Sequence, residues 1–371
     1  MKVLIIHASF GSGHKRAAQA VLEEFEQRGI AAEMRDLLEF LPAPMSRFYS
    51  VSYDYMITSS RTLWRLTYNL VNWPKGPYRP ARAITQKWQF SHLKKFLKNS
   101  DFTHVLATHF NPAALLTDWR FREGLDCKIF SVVTDHEAHR CWRRTGLDHY
   151  FVASARVASE MQQIGVPEND ITISGIPISK AFSSRLSRAE ARKIWDLPEQ
   201  AKIILVLCSA LTRKKSVRML REFAEVKTDL RYLVVAGADA KKEKRLKQEF
   251  AEDARFTVFG FTSRIAELMR AADLIVTKPG GLIVSESLAM GMPQILLEPI
   301  PGQEEANARF AVEEGSAISI SHQTGIYNET LLSIISDPAK LERMSEAARR
   351  AGRPQAAAVV VETILSKFVV S

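Results

Sequence analysis

Cysteine is scarce in this chain. Cys127, Cys141 and Cys208 are the only three among 371 residues, an odd number without paired spacing. That excludes a disulfide framework and leads us to expect a reducing compartment in which the thiols are buried filler. No apolar run reaches the ~20 residues of a membrane-spanning helix, so none is expected. The opening MKVLIIHASFGSGH runs from a short apolar stretch directly into a glycine loop. It lacks the longer apolar region and cleavage site of a signal peptide. No Gly-Lys-Ser/Thr triplet occurs, which excludes a Walker P-loop, and the Rossmann glycine fingerprint is missing too. Acidic residues nearly vanish between Pro42 and Lys98, where ten Lys and Arg face only Asp54, close to the whole formal charge of +10.

What is present is ordinary globular material, with 46% hydrophobic and 25% charged residues. The length suggests two domains. Apolar runs at Lys2–Ala8, Thr103–Ala107, Lys128–Val133 and His149–Ala153 read as strands, with helices between them. After a glycine–proline turn, Ile173–Pro177, a second series follows: Ile203–Cys208, Arg231–Gly237, Phe256–Phe259, Asp273–Thr277, Gln294–Leu297 and Ala317–Ile320. Strands alternating with helices imply an α/β fold with a parallel sheet in each half, where function collects at the C-terminal ends of strands. We place the domains at 1–174 and 175–352, with a final helix from Ala356 in the segment 353–371.

The most informative stretch is TKPGGLIVSESLAMGMPQILLEPIPGQEEAN, from Thr277 to Asn307. A strand, the pair Gly280-Gly281, then a helix beginning near Leu282 aims free backbone N–H groups at whatever sits above the turn. Phosphate is the expected occupant. Glu286, one turn into the helix, suits the two hydroxyls of a ribose, because a carboxylate accepts two hydrogen bonds. The loop Pro299–Gly302 presents Gln303, Glu304 and Asn307, which suit a polyhydroxylated sugar. At the N-terminus, Gly11 and Gly13 let the backbone approach a ligand, and His14 stands at a helix start. Basic residues mixed with Trp and Tyr across 42–98, among them Arg61, Trp64, Arg65 and Trp73, suit an anionic membrane surface. Single-stranded nucleic acid is the alternative partner for that mixture. His136, His139 and Cys141 lack the spacing of a usual zinc site, so no metal is expected there.

TKPGG, the Ser-Glu inside the helix and PGQEEAN at this spacing resemble the donor site of the glycosyltransferases that make monoglycosyldiacylglycerols: plant galactolipid synthase and bacterial diacylglycerol glucosyltransferases. The resemblance extends over nearly the whole chain. It implies the GT-B arrangement, two facing Rossmann-like domains, the last helix returning to the first. It also implies a UDP-sugar donor bound at Ser209, the Gly260-Phe261 loop, Gly280, Gly281, Leu282, Glu286, Gln303, Glu304 and Asn307. His14 becomes the candidate base, with Asp135 as its rival or orienter. Gly11, Gly13, His109, His139 and Trp142 fall on the acceptor side.

The implied reaction is in-line transfer of a hexose from a UDP-sugar to a lipid hydroxyl such as that of diacylglycerol, with inversion to a β-glycolipid. No Asp-x-Asp triplet occurs, so no metal is expected in catalysis; a helix N-terminus with Lys and Arg can neutralise the leaving phosphates. No cofactor is expected. Other lipids, polyprenyl-linked or sphingoid, remain open as acceptors, and a nucleic-acid-binding protein is the reading from another class. The expected location is cytoplasmic, peripheral on the inner face of the cell membrane. Two departures stand out: Cys208–Lys215 has no glycine where the family shows a glycine-rich turn, and Ile283 replaces a common Thr.

Overall fold

A computed structural model of the chain describes residues 1–9, 12–42, 44–45, 89–184, 186–320 and 326–368. Gly11, Arg61, Trp64, Arg65 and Trp73 lie outside the described residues. The chain divides into two compact units. The first comprises Met1–Ser179, Ile300–Ala306 and Arg353–Ser371; the second comprises Lys180–Pro299 and Asn307–Gly352.

Each unit is built on a six-stranded, all-parallel sheet. In the first, β1 (Lys2–His7), β2 (Ala31–Asp36), β3 (His104–Ala107), β4 (Lys128–Val132), β5 (His149–Val152) and β6 (Ile171–Ile173) take the order β2-β1-β3-β4-β5-β6. In the second, β7 (Lys202–Leu207), β8 (Leu230–Val235), β9 (Phe256–Phe259), β10 (Leu274–Thr277), β11 (Gln294–Leu297) and β12 (Ala317–Ile320) take the order β12-β11-β10-β7-β8-β9. Parallel sheets are covered on both faces, so their central strands need apolar side chains in both directions. Val3 to Ile6 and Ile203 to Val206 meet that requirement with unbroken burial.

The strands that the sequence reading missed are edges. β2 is only partly buried and reads AAEMRD, a pattern with no apolar alternation. β6 is three residues long and partly exposed. Edge strands bury less and so leave a weaker apolar signature.

The helix Ala356–Phe368 packs in the first unit, where Val360, Val361 and Ile364 join the core of Val3, Val21, Phe25 and Phe130. Arg28 donates to Glu362 at 2.7 Å along the same contact. Gly175 sits beneath the start of this helix with φ +86°, and a Cβ there would come within 2.4 Å of Arg353 Cβ. Both conditions demand glycine.

At the N-terminal end of each sheet a carboxylate ties strands together. Asp148 accepts from Ile129 N at 2.8 Å and from Arg120 at 2.7 Å. Asp273 accepts from Ile203 N at 2.8 Å, Arg192 at 2.8 Å and Arg188 at 2.9 Å. Asp273 and Arg192 are both buried. Asp273→Ala would strand the Arg192 charge in the interior, and removing one partner of a buried pair costs about 3–5 kcal/mol. Urea denaturation should show a large loss of stability, with a smaller loss in Asp273→Asn, which keeps one acceptor oxygen.

Candidate functional site

In the first unit, the residues around His14 form one connected cluster at the C-terminal ends of β3 and β4. His14 lies in the first turn of the helix Ser12–Gln27. Its Nδ1 is 2.8 Å from the Thr108 carbonyl oxygen and 2.9 Å from Thr134 Oγ1. A carbonyl can only accept, so Nδ1 carries the proton and Nε2 is left as the lone-pair nitrogen. Thr108 Oγ1 donates back to the His14 carbonyl at 3.0 Å, which fixes the helix start against β3. The ring is partly open to solvent, yet surrounding protein strips enough water to push its pKa down to about 4. The imidazole is therefore neutral at physiological pH.

Asp135 follows β4 and is buried. Burial raises its carboxyl to about 6, against hydrogen bonds from Gln303 and Trp142 that favour the charged form; Glu137 adds to the rise. The Gln303 amide is a close donor to Asp135 Oδ1. Among the described residues no hydrogen bond joins Asp135 to His14. His14 is oriented by Thr108 and Thr134, and Asp135 by Trp142 and Gln303.

Aromatic contacts connect the two. His14 meets His109 edge-on at 4.6 Å, His109 stacks on Phe110 at 4.2 Å, and Phe110 meets Trp142 edge-on at 5.9 Å. His109 also caps the helix Phe110–Glu123, its Nδ1 accepting from Asn111 N at 3.0 Å. His139 caps the turn Arg140–Trp142, its Nδ1 accepting from Cys141 N at 3.3 Å with Cys141 Sγ at 2.8 Å. Both histidines thus hold backbone, and His109 also touches His14. Gly13 lies beside His14 in the first helical turn.

In the second unit, β10 ends at Thr277 and the helix Gly281–Ala289 begins with Gly280 as its N-cap. Among the described residues no side chain caps that terminus. Gly280 has an ordinary φ of −67°, and a Cβ there would touch only Ile283 Cγ2 at 3.8 Å. Among the described residues there is therefore room for a Cβ at 280, and the fold does not require glycine there. Leu282 is buried beneath the turn, and Glu286 is fully buried within the helix. Ser209 and Phe261 follow β7 and β9 at the same sheet edge, and Phe261 is 79% exposed.

Gln303, Glu304 and Asn307, expected on a loop from the Pro-Ile-Pro-Gly run before them, are not on one. They lie instead on the helix Gln303–Glu313. Glu304 accepts from Ile300 N at 2.8 Å, and Glu305 from Gly302 N at 3.1 Å, so the acidic pair caps its own helix. Carboxylates at a helix start do this readily, and PGQEE carries that signal as well as the one read for a sugar. Asn307 is buried and donates to the Pro279 carbonyl at 3.2 Å, bracing the glycine turn. Gln303 and Glu304 belong to the first unit, Asn307 to the second.

The glycine-free turn after β7 is supported by a residue the sequence reading passed over. Lys242 is buried and donates to the carbonyls of Cys208 at 2.9 Å and Ser209 at 3.2 Å. Burial pushes its pKa below the ordinary lysine value. The only sequence cue is its spacing four residues before buried Leu246 on an otherwise charged helix. Of the basic residues that follow this turn, Lys215 pairs with Glu298 at 2.5 Å and Arg213 faces Asp239 at 3.7 Å. Glu298 has φ +42° and also accepts from Tyr327 at 3.3 Å. A non-glycine residue in that region stores strain, here at a strand end on the functional edge.

The geometry yields a paired expectation. Gly280→Ala should fold normally, yet lower UDP affinity about tenfold or more if phosphate approaches these amides. Glu286→Gln preserves shape and should weaken UDP by a charge-assisted hydrogen bond, about 1.5–3 kcal/mol. Isothermal titration calorimetry measures both. Parental affinity in Glu286→Gln would assign the carboxylate to packing alone.

Comparison with known proteins covers both units. Residues 14–178 match the family described as monogalactosyldiacylglycerol (MGDG) synthase, and residues 187–351 match glycosyl transferases group 1. A processive diacylglycerol β-glucosyltransferase from Bacillus cereus (strain 03BB102) is 30% identical over 99% of this chain and 94% of its own. The enzyme of that name from Bacillus cytotoxicus is also 30% identical, with the same coverage. Among solved structures, Acinetobacter baumannii MurG aligns with a TM-score of 0.66 at 16% identity, covering 98% of this chain and 99% of that one. The UDP-GlcNAc 2-epimerase of Neisseria meningitidis, bound to UDP-GlcNAc, aligns with a TM-score of 0.65 at 15% identity, covering 99% of this chain and 100% of that one. These structures establish the GT-B fold class, which transferases and epimerases share, while the sequence relationship is narrower: the chain belongs to the processive diacylglycerol β-glucosyltransferase family.

Proposed function

We infer that the protein is an inverting hexosyltransferase that moves a sugar from a UDP-sugar to the hydroxyl of a lipid, diacylglycerol being the acceptor, to form a β-glycolipid. The observation that carries this reading is the match to relatives named for that reaction along 99% of the chain. The uncapped helix start at Gly280 supports the donor half, because its amides and positive dipole end can hold a leaving diphosphate without a metal. In-line attack by the lipid hydroxyl breaks the bond from the anomeric carbon to the diphosphate oxygen and inverts that carbon. The hydroxyl proton goes to Nε2 of His14, whose tautomer is held by the Thr108 carbonyl. Incubating the purified protein with UDP-glucose, UDP-galactose and diacylglycerol, then identifying lipid products by mass spectrometry, tests the reading. No glycolipid from any pair would overturn it.

The base has its own test. His14→Ala should lower turnover about 10²–10⁴-fold, the usual contribution of a positioned base, with UDP affinity intact. A base works deprotonated, so activity should fall as pH drops through its pKa. A limb near 4 belongs to His14 and a limb near 6 to Asp135. Near-normal turnover in His14→Ala, with a limb near 6 that disappears in Asp135→Asn, would transfer the role to Asp135.

We further propose that the basic aromatic segment docks the enzyme on the anionic leaflet that holds its acceptor, at the inner face of the cell membrane, with no role for nucleic acid. Among the described residues no helix is long and apolar enough to cross a membrane. Each Lys or Arg near an anionic surface contributes about 1 kcal/mol, and screening over about 8–10 Å makes the attraction salt-sensitive. Replacing Arg61, Trp64, Arg65 and Trp73 together should abolish sedimentation with anionic vesicles while UDP binding persists. Equal sedimentation with neutral and anionic vesicles would defeat the proposal.

A further inference from the structure

Within the second unit a cavity of about 190 Å³ opens at the N-terminal end of the sheet, where β10 and β11 begin. It lies at the opposite end of β10 from the glycine turn, and the helix Gly281–Ala289 runs from that turn down to Met290, Gly291 and Met292 in its wall. Three arginines line it, Arg188, Arg270 and Arg349.

The negative charge near them is already shared out. Asp273 serves both Arg188 and Arg192, and accepts from Ile203 N as well. Arg349 pairs with Glu342 at 2.5 Å, a carboxylate with 63% of its side chain exposed. Arg270 has no carboxylate partner among the described residues. Among those residues it donates to the Ser184 carbonyl at 3.3 Å, and its Nε is buried with no partner. Burial, with the like charge of Arg188 beside it, holds its pKa below the ordinary value.

A guanidinium with a shielded, unused N–H next to a second guanidinium is costly unless an anion completes it. The helix end facing the cavity would ordinarily repel an anion through its exposed carbonyls. Here they are occupied: Glu286 O by Met290 N at 3.2 Å, Ser287 O by Met292 N at 2.8 Å, and Leu288 O by Gly291 N at 3.0 Å. Ser345 Oγ covers the Gly291 carbonyl at 2.7 Å. Besides Asp273 and Glu342, Glu190 on the neighbouring helix is committed to the Ser187 amide and hydroxyl in a capping box.

We propose that Arg188, Arg270 and Arg349 form a second anion site for a phosphate monoester, at the opposite end of the sheet from the glycine turn. Planar, forked guanidinium donors match tetrahedral phosphate oxygens better than point charges do. A soluble phosphomonoester and the headgroup of an anionic lipid share that chemistry.

Three of the ten methionines, Met269, Met290 and Met292, line the cavity and report on it locally. Methyl-¹³C-methionine NMR is recorded on the full chain during titration with glycerol 3-phosphate, with UDP present to occupy the glycine turn. The signals of these three residues should shift, saturably. Arg270→Gln removes a half-buried charge that has no carboxylate partner among the described residues, so the variant should fold at least as stably as the parent, and it should weaken binding about tenfold or more. Arg349→Gln should act in the same direction. Vesicles of phosphatidylcholine with and without phosphatidate make up the lipid arm: shifts that require phosphatidate name the headgroup as the source, and shifts with glycerol 3-phosphate name the soluble ester. No shift with either, or equal binding by the parent and both variants, overturns the site. The test needs no turnover, so it stands or fails separately from the transferase reading.

Discussion

Parallel pairing is the constraint on which the rest depends. A parallel strand cannot return by a tight turn, so each one must be followed by a crossover, here a helix in most cases. Every strand in a sheet then ends on the same edge, and every crossover begins there. In the first unit that edge collects His14, Thr108, Thr134 and Asp135 from three different crossovers. In the second it collects Ser209, Phe261, Gly280 and Glu298. None of these residues needs sequence proximity to share an edge.

The opposite edges do different work. There the strands start, and buried or half-buried aspartates tie neighbouring strands through backbone amides and arginines, Asp148 in one unit and Asp273 in the other. Such ties are specific because a stranded carboxylate or guanidinium in the interior is expensive. The arginine-lined cavity lies beside the Asp273 tie, and Arg188 belongs to both.

Chemistry at the first unit's edge is set by water removal more than by charge pairing. Burial moves His14 down and Asp135 up, so that the imidazole loses basicity and the carboxyl gains it. The donors to Asp135, the Trp142 indole and the Gln303 amide, are neutral, which limits how far they can restore the charged form. At the second unit's edge the proposed donor contacts are backbone amides, and among the described residues no side chain caps the helix that follows Gly280.

Ten of the twelve described strands and the glycine turn were legible in the sequence, because central strands demand unbroken apolar runs and the turn interrupts one abruptly. The edge strands β2 and β6 were not, since partial burial erases the pattern. His14, Asp135, His109 and Trp142 were singled out for a role through the family resemblance, and the partners of His14, Thr108 and Thr134, were not singled out at all. The sequence suggested that Gln303, Glu304 and Asn307 were free to meet a sugar. Only the tertiary structure showed that Glu304 caps its own helix, Asn307 braces Pro279 and Gln303 reaches Asp135. It alone revealed Lys242 holding the turn after β7, and Thr108 choosing the tautomer of His14. Residue type states what a side chain can donate or accept. Which partner it finds is decided by packing between segments far apart in the chain, as with the 94 positions between His14 and Thr108, and local pattern carries no record of that.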